Sequence, residues 1–417
     1  MNRWRMLGVG MAGEAAGCAF LYGLPLLLPE LRAETGWSLA RLGVLVGCPS
    51  LGMLVALVAC GVLADRYGVR LVLAWGLGGS AAFLVTAAFM AGPVALGILL
   101  ALAGVAGASV IVASGRVVRA WFPPERPGFA TGWRQVAQPL SVAAAALVLP
   151  PVAQHSGVRG GLLVLAGVCL LVSAGAVLVL TDAPAGAAAT AGAGTPGATV
   201  DPDGTVTLPA PSARRAARDA SPYRRAALWR VHGASALLVV PQFVVAAFAL
   251  EYLVVEQHLT PTGAGRLLAA AGLVGALVRV LAGRWPDRFG GRLAPMQWLA
   301  LASTVALGLL ALAAALHSPA GTGLVLVAVV VTLSWNGLAV TAVSDLAGPA
   351  WMGRASGVQD TVQNLAFAVT PALWGALILG YGFGVGYGLA ALVPLLGALV
   401  TPRPTVPAPE PAEVTSR

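Results

Sequence analysis

The chain has 417 residues, of which 58% are hydrophobic and 10% charged, and its mean hydropathy is +0.85. A water-soluble domain carries roughly 25% charged residues, so this chain lacks a polar coat and the lipid bilayer is its natural solvent. Net charge is +9 and all 25 basic residues are arginines, most of them set in short segments between apolar runs, a placement that speaks for membrane topology and against nucleic acid as a partner.

A membrane-crossing helix takes about 20 mostly apolar residues. Twelve such spans are predicted, at 6–28, 39–63, 71–91, 94–117, 128–153, 160–180, 229–254, 261–282, 293–316, 321–346, 358–379 and 382–400. The first follows Arg3 and Arg5 as a secretory signal would. It is too long for an apolar signal core of ~7–15 residues, and further spans come after it. Residues 182–225 are rich in Ala, Gly and Pro and then in Arg, which predicts a flexible linker. It separates two bundles of six spans, 1–181 and 226–400. The Pro-rich tail, 401–417, is expected to be disordered. Cys18, Cys48, Cys60 and Cys169 lie within spans and read as packing residues.

Alternate loops collect the arginines: Arg3 and Arg5, Arg66 and Arg70, Arg119 and Arg126, the linker, Arg284 to Arg292, then Arg354 and Arg403. By the positive-inside rule these face the cytoplasm, with both termini, and the location expected is the plasma membrane.

An internal repeat is visible. Gly61-Val-Leu-Ala-Asp65-Arg66-Tyr67-Gly68-Val-Arg70 is echoed by Gly283-Arg-Trp-Pro-Asp287-Arg288-Phe289-Gly290-Gly-Arg292, 222 positions on. Gly128 to Gln138 is echoed by Gly353 to Gln363, 225 positions on. Two echoes at nearly one offset indicate duplicated halves. The decapeptide resembles the loop signature of the major facilitator superfamily, G-x-x-x-D-R-x-G-(R/K)-(R/K), with Val69 at one basic position. That resemblance implies an all-α membrane fold, with twelve helices in two pseudo-symmetric bundles, and transport by alternating access through a central cavity. The two loops, with Asp360 near the inner end of the eleventh span, are then expected to form a gate whose contacts exist in one state and break in the other. A plain polar turn is the alternative.

A charge at bilayer depth costs at least ~2.5–3.5 kcal/mol and needs a partner or a wet cavity. Glu14 lies nine residues after Arg5, about 13 Å into the bilayer. It is a candidate carrier of a coupling proton; a structural ion pair and a vestibule position are the other readings. Arg134 and Gln138 share a helix face and suit a carboxylate, or else an inner-gate ion pair. Arg279 stands four residues before Gly283 and eight before Asp287, a spacing similar to that of the monocarboxylate and oxalate–formate porters, whose arginine contacts the substrate carboxylate. The first span lacks the aromatic-rich signature of that branch. A buried pair with Asp360 or Glu14 is the competing reading for Arg279. Tyr22, Gln242, Trp335, Asn336 and Gln363 are polar candidates for the cavity wall, though such residues also serve as helix-packing contacts.

No nucleotide-binding phosphate loop, zinc-protease helix or serine-hydrolase elbow occurs, so neither an enzyme nor ATP-driven transport is expected, and no cofactor or metal is called for. The reading is a secondary transporter, monomeric in the lipid bilayer, that moves a small organic anion with protons as coupling ion, a symport. A proton-coupled efflux antiporter for apolar or cationic compounds is the runner-up, and a transporter-like receptor without turnover a third class.

Overall fold

The computed structural model describes residues 3–121, 127–180, 199–200, 206–207, 221–282, 292–348 and 351–402, with side chains at 3, 4, 7, 65, 114–121, 127–135, 199–200, 206–207, 280 and 282 outside that description. Ten continuous helical runs are long and apolar enough to cross a bilayer. Two of them, Pro127–Val179 and Met352–Val400, each contain one residue with non-helical backbone, Gly157 (φ 68°, ψ −176°) and Gly382 (φ 80°, ψ 170°). Each is therefore two antiparallel spans, which makes twelve. Gly157 and Gly382 stand 225 positions apart, the offset of the second sequence echo. The duplication is thus a backbone fact as well as a sequence pattern. Both joints need glycine because φ is positive there. At Gly157 there is a second reason. The Glu34 carboxylate accepts a hydrogen bond from the Val158 N–H at 2.9 Å, capping the sixth span, and a β-carbon on Gly157 would occupy its place.

The first span runs as helix Arg3–Gly23, a 3-10 turn Leu24–Leu27 containing Pro25, and helix Leu28–Thr35, ended by the left-handed Gly36. It runs about two turns past the end of its apolar run, because Arg32 and Glu34 extend it into polar contacts. The second is Leu39–Tyr67, opened by Ser38, whose Oγ accepts from the Arg41 N–H, and closed by Gly68. Val69–Ala87, Pro93–Trp121 and 127–156 follow as spans three to five, and 158–179 as the sixth. The second half comprises Ala226–Val255, Pro261–Ala282, Leu293–Ala315, the pair Ala320–Ser334 and Asn336–Ala347, then 352–381 and 383–400. Between the halves, Thr199–Val200 and Val206–Thr207 form a short antiparallel pair; the remainder of the linker and the tail lie outside the described residues. The tenth span is broken at Trp335. Thr332 and Ser334 just before it donate from their hydroxyls to Ala328 O and Val330 O, four residues back, a bond that competes with the helical ladder.

Outward faces are apolar: Val55, Leu171 and Leu178 are 75%, 75% and 83% exposed. In water this would be ruinous; in lipid it is the solvated state. Inward faces are small. The second span meets the eleventh, and the fifth meets the eighth, across the boundary between halves. A β-carbon at Gly43 would strike the Pro371 carbonyl, one at Gly47 the Ala368 carbonyl, and one at Gly265 the Ala146 carbonyl. Close backbone approach of this kind is how helices associate in lipid, where no hydrophobic force draws them together. All three seams lie in the ends of these spans remote from the chain termini, so the halves are sealed there.

Overpacking that seam should wedge it open. Ala146, buried against Gly265, reports on it when changed to cysteine in a chain otherwise lacking cysteine. With an overpacking cost of about 1–3 kcal/mol, Gly47→Leu is expected to raise the rate at which a water-soluble maleimide labels Ala146→Cys about tenfold. An unchanged rate would mean the seam does not hold the halves together.

Candidate functional site at the interface of the halves

Glu14, Cys18 and Tyr22 recur at four-residue spacing on the first span and so form one stripe. Its direction is set by its top: Cys18 and Tyr22 pack with Leu238, Val239 and Phe243 of the seventh span and Phe367 of the eleventh. The Tyr22 ring stacks on Phe367 (centroids 5.6 Å, 21° between planes), and Phe243 stacks on Phe367 (3.9 Å, 27°). Three rings from both halves therefore close the middle of the molecule. Their orientation aims the Tyr22 hydroxyl away from the stack and into a polar chain.

That chain has four members. Arg279 Nη1 of the eighth span donates to Gln138 Oε1 of the fifth at 3.1 Å. Gln138 Nε2 donates to Tyr22 Oη at 2.7 Å. Gln242 Nε2 of the seventh span reaches the same hydroxyl at 3.3 Å. The order Arg279–Gln138–Tyr22–Gln242 crosses from the second half to the first and back again. Because an arginine only donates, it fixes the Gln138 amide with its oxygen toward Arg279 and its nitrogen toward Tyr22. Arg279 is 6% exposed and Gln242 1%. Gly275 faces Val330 and Leu333 of the parallel tenth span. One turn further on, Arg279 is thus level with the break at Trp335 and Asn336. Asn336 Oδ1 accepts from Gln363 Nε2 at 3.3 Å. Gln138 and Gln363, equivalent positions of the repeat, both face the interior.

Seven of the sequence candidates thus gather at mid-depth: Tyr22, Gln138, Gln242, Arg279, Trp335, Asn336 and Gln363. Glu14 sits two helical turns from Tyr22, about 12 Å toward the end bearing the termini. Arg134 is one turn from Gln138 in the same direction; its side chain lies outside the described residues. Asp360 is one turn before Asn364, which donates to its carbonyl at 2.9 Å.

The loop candidates are placed in part. The Arg66 guanidinium lies 5.4 Å from the Tyr67 ring centroid. Arg70 Nη2 donates to Val177 O at the end of the sixth span. Arg292 Nε meets Asp345 Oδ2 of the tenth span at 2.8 Å. Both contacts stay within one half and tie each loop to its own bundle. Gly61 ends no helix; it lies inside the second span, and the chain turns at Gly68. Gly283, Asp287, Arg288 and Gly290 lie outside the described residues, as does the Asp65 side chain.

Sequence reasoning missed the seal at the far end. Arg32 Nη1 and Glu251 Oε1 form an ion pair of 2.5 Å between the first and seventh spans, and Thr262 Oγ1 donates to Gln154 Oε1 at 2.5 Å between the eighth and fifth. Glu251 is 1% exposed, and its Oε2 has no hydrogen-bond partner among the described residues. The signal was present: Glu251 is an acid inside an otherwise apolar span, which alone marks a position with a partner. His232 was missed likewise; it is buried, with Nδ1 2.7 Å from Gln359 Oε1.

Several comparisons bear on this architecture. The family profile of the Major Facilitator Superfamily matches residues 10–371. An uncharacterized MFS-type transporter of Mycobacterium tuberculosis (strain H37Rv) is 36% identical over 408 residues, which cover 97% of this chain and 86% of that one. A probable anion transporter of Arabidopsis thaliana chloroplasts is 30% identical over 132 residues, 31% of this chain and 25% of that one. Among solved structures, a bacterial homologue of the human lysosomal transporter Spinster, inward-facing and unoccupied, superposes with a TM-score of 0.70 at 12% identity, over 96% of this chain and 94% of that one. The nucleoside transporter NupG gives 0.68 at 15% identity, over 95% and 98%.

The Arg32–Glu251 pair makes an asymmetric prediction. Arg32→Ala strands a buried carboxylate, whereas Glu251→Gln leaves a guanidinium that still reaches water. Arg32→Ala should therefore lower thermal stability in detergent more, on the order of 2–3 kcal/mol against about 1. The double variant Arg32→Met, Glu251→Leu should lie closer to wild type than Arg32→Ala does. Equal losses for the two single variants would show that burial of Glu251 does not govern the pair.

Proposed function

Since the chain belongs to the major facilitator superfamily and so carries solute across a membrane by alternating access, we propose that it is a proton-linked porter of a small organic anion in the plasma membrane. The observation that carries this reading is Arg279. A guanidinium buried at the boundary between halves, hydrogen-bonded to the opposite half, is a group that an anion can engage from both sides of the transport cycle. A carboxylate accepts a bidentate bond from it in a geometry that a lysine cannot offer. Gln138 turns that charge toward the first half, and Arg134, one turn away on the same face, adds a second positive group to the path. The local likeness to a plant protein named as a probable anion transporter supports the same class.

Glu14 is assigned the coupling proton. It stands on the stripe that leads through Cys18 to Tyr22, so a proton there lies between the end bearing the termini and the polar chain. Gly13 and Gly17 beside it pack against Leu73 and Val110, which leaves Glu14 on the side of the stripe rather than against its own bundle. With the arginine-rich loops in the cytoplasm, the sealed end is extracytoplasmic. The Asp-Arg loops and Asp360 are assigned to the inner gate, with Arg70 and Arg292 holding each loop to its own bundle. Both bundles act as rigid bodies about the mid-depth chain.

The test is a thermal-shift screen of purified protein with small carboxylates, inorganic anions and cationic dyes, followed by flux in proteoliposomes. A ligand that favours the folded state raises the midpoint, by about 2.7 kcal/mol of stabilisation at a hundredfold excess over Kd. Stabilisation by carboxylates that vanishes in Arg279→Ala, loss of flux in Arg279→Lys, and loss of the pH gradient's effect on flux in Glu14→Gln are expected. Stabilisation by cationic dyes alone, abolished by Glu14→Gln, would replace this reading with efflux of cations.

A further inference from the structure

Gln242 is a member of the polar chain whose hydrogen bonding does not close among the described residues. Its Nε2 reaches Tyr22, and its Oε1 is buried with no partner among the described residues. Turning the amide over would let the Tyr22 hydroxyl donate to the oxygen, and would leave the nitrogen unmatched instead. In either orientation one polar atom of a side chain that is 1% exposed is unsatisfied. The Trp335 indole N–H, in the same cluster and wholly buried, also lacks an acceptor among the described residues. Unmatched polar atoms at such depth are destabilising. Two of them beside Arg279 call for a ligand atom that completes them.

Resting on the anion reading above, we propose that Gln242 reads a hydroxyl on the substrate, with Trp335 as a second donor to it, so that the site selects hydroxy-carboxylates over plain carboxylates. A hydroxyl is the group that fits, because it both donates and accepts and so satisfies the Gln242 amide in either orientation. The carboxylate engages Arg279 and the hydroxyl engages Gln242. Selectivity then follows from the site's own polar atoms: an analogue lacking the hydroxyl leaves them unpaired and is rejected.

The experiment measures Kd by thermal shift for matched pairs, 2-hydroxypropionate with propionate and 3-hydroxybutyrate with butyrate, on the full-length protein. Wild type should bind at least one hydroxy acid about tenfold or more tightly than its partner. Gln242→Met, close in shape, should bring that ratio near one, and Trp335→Phe should reduce the ratio in part. Equal affinities in wild type, or a ratio unmoved by Gln242→Met, would overturn the hydroxyl assignment while leaving the anion reading in place. No carboxylate binding at all, in protein that still binds another ligand, would overturn both. The wild-type ratio stands by itself should Gln242→Met fail to fold.

Discussion

A polar group held at bilayer depth must find its partner within the protein, because the lipid offers none. The interior of this molecule is arranged around that constraint. Arg279 is the largest such demand, and its answer lies in the opposite half. A side chain that had to be satisfied by its own bundle would leave the two halves independent. Hydrogen-bonded to Gln138, and through it to Tyr22 and Gln242, the same charge couples them. The aromatic stack of Tyr22, Phe243 and Phe367 excludes lipid and water from the other side of the chain, so each bond in it acts in a low-dielectric setting.

The remaining contacts between halves follow from the same rule. Where no polar partner is at hand, the spans approach through glycine, as at Gly43, Gly47 and Gly265, and dispersion at short range replaces hydrogen bonding. Where the spans reach the far surface, Arg32 and Glu251 meet, one end of the pair in water and the other buried. Polar chain, glycine seams and ion pair form three successive layers of different chemistry. Each layer can be broken without unfolding a bundle, as a transporter with two conformations requires.

Much of this was legible in the sequence, for physical reasons. Spans were readable because lipid demands long apolar runs, and the start of the eighth at Pro261 was placed to the residue. Ends such as that of the first span were not, since Arg32 and Glu34 look like loop residues until their partners are known. The duplication was legible from the Asp-Arg loops. Tyr22, Gln138, Gln242 and Arg279 were each visible as polar letters in apolar text, but not their order, which depends on how two bundles meet. Glu251 was overlooked because its partner lies 219 positions away in a short loop-like segment. Pairings across a domain boundary leave no periodicity to read.

The single-glycine joints carry a consequence for how the chain enters the membrane. With no loop between 127–156 and 158–179, or between 352–381 and 383–400, each pair leaves the insertion machinery as a helical hairpin whose two arms are already in van der Waals contact. The polar turn that must cross the bilayer is then one residue long. In the first half Glu34 waits to receive it, made earlier in synthesis and already at the far side. The carboxylate that caps Val158 thus ties the turn of the hairpin to the first span.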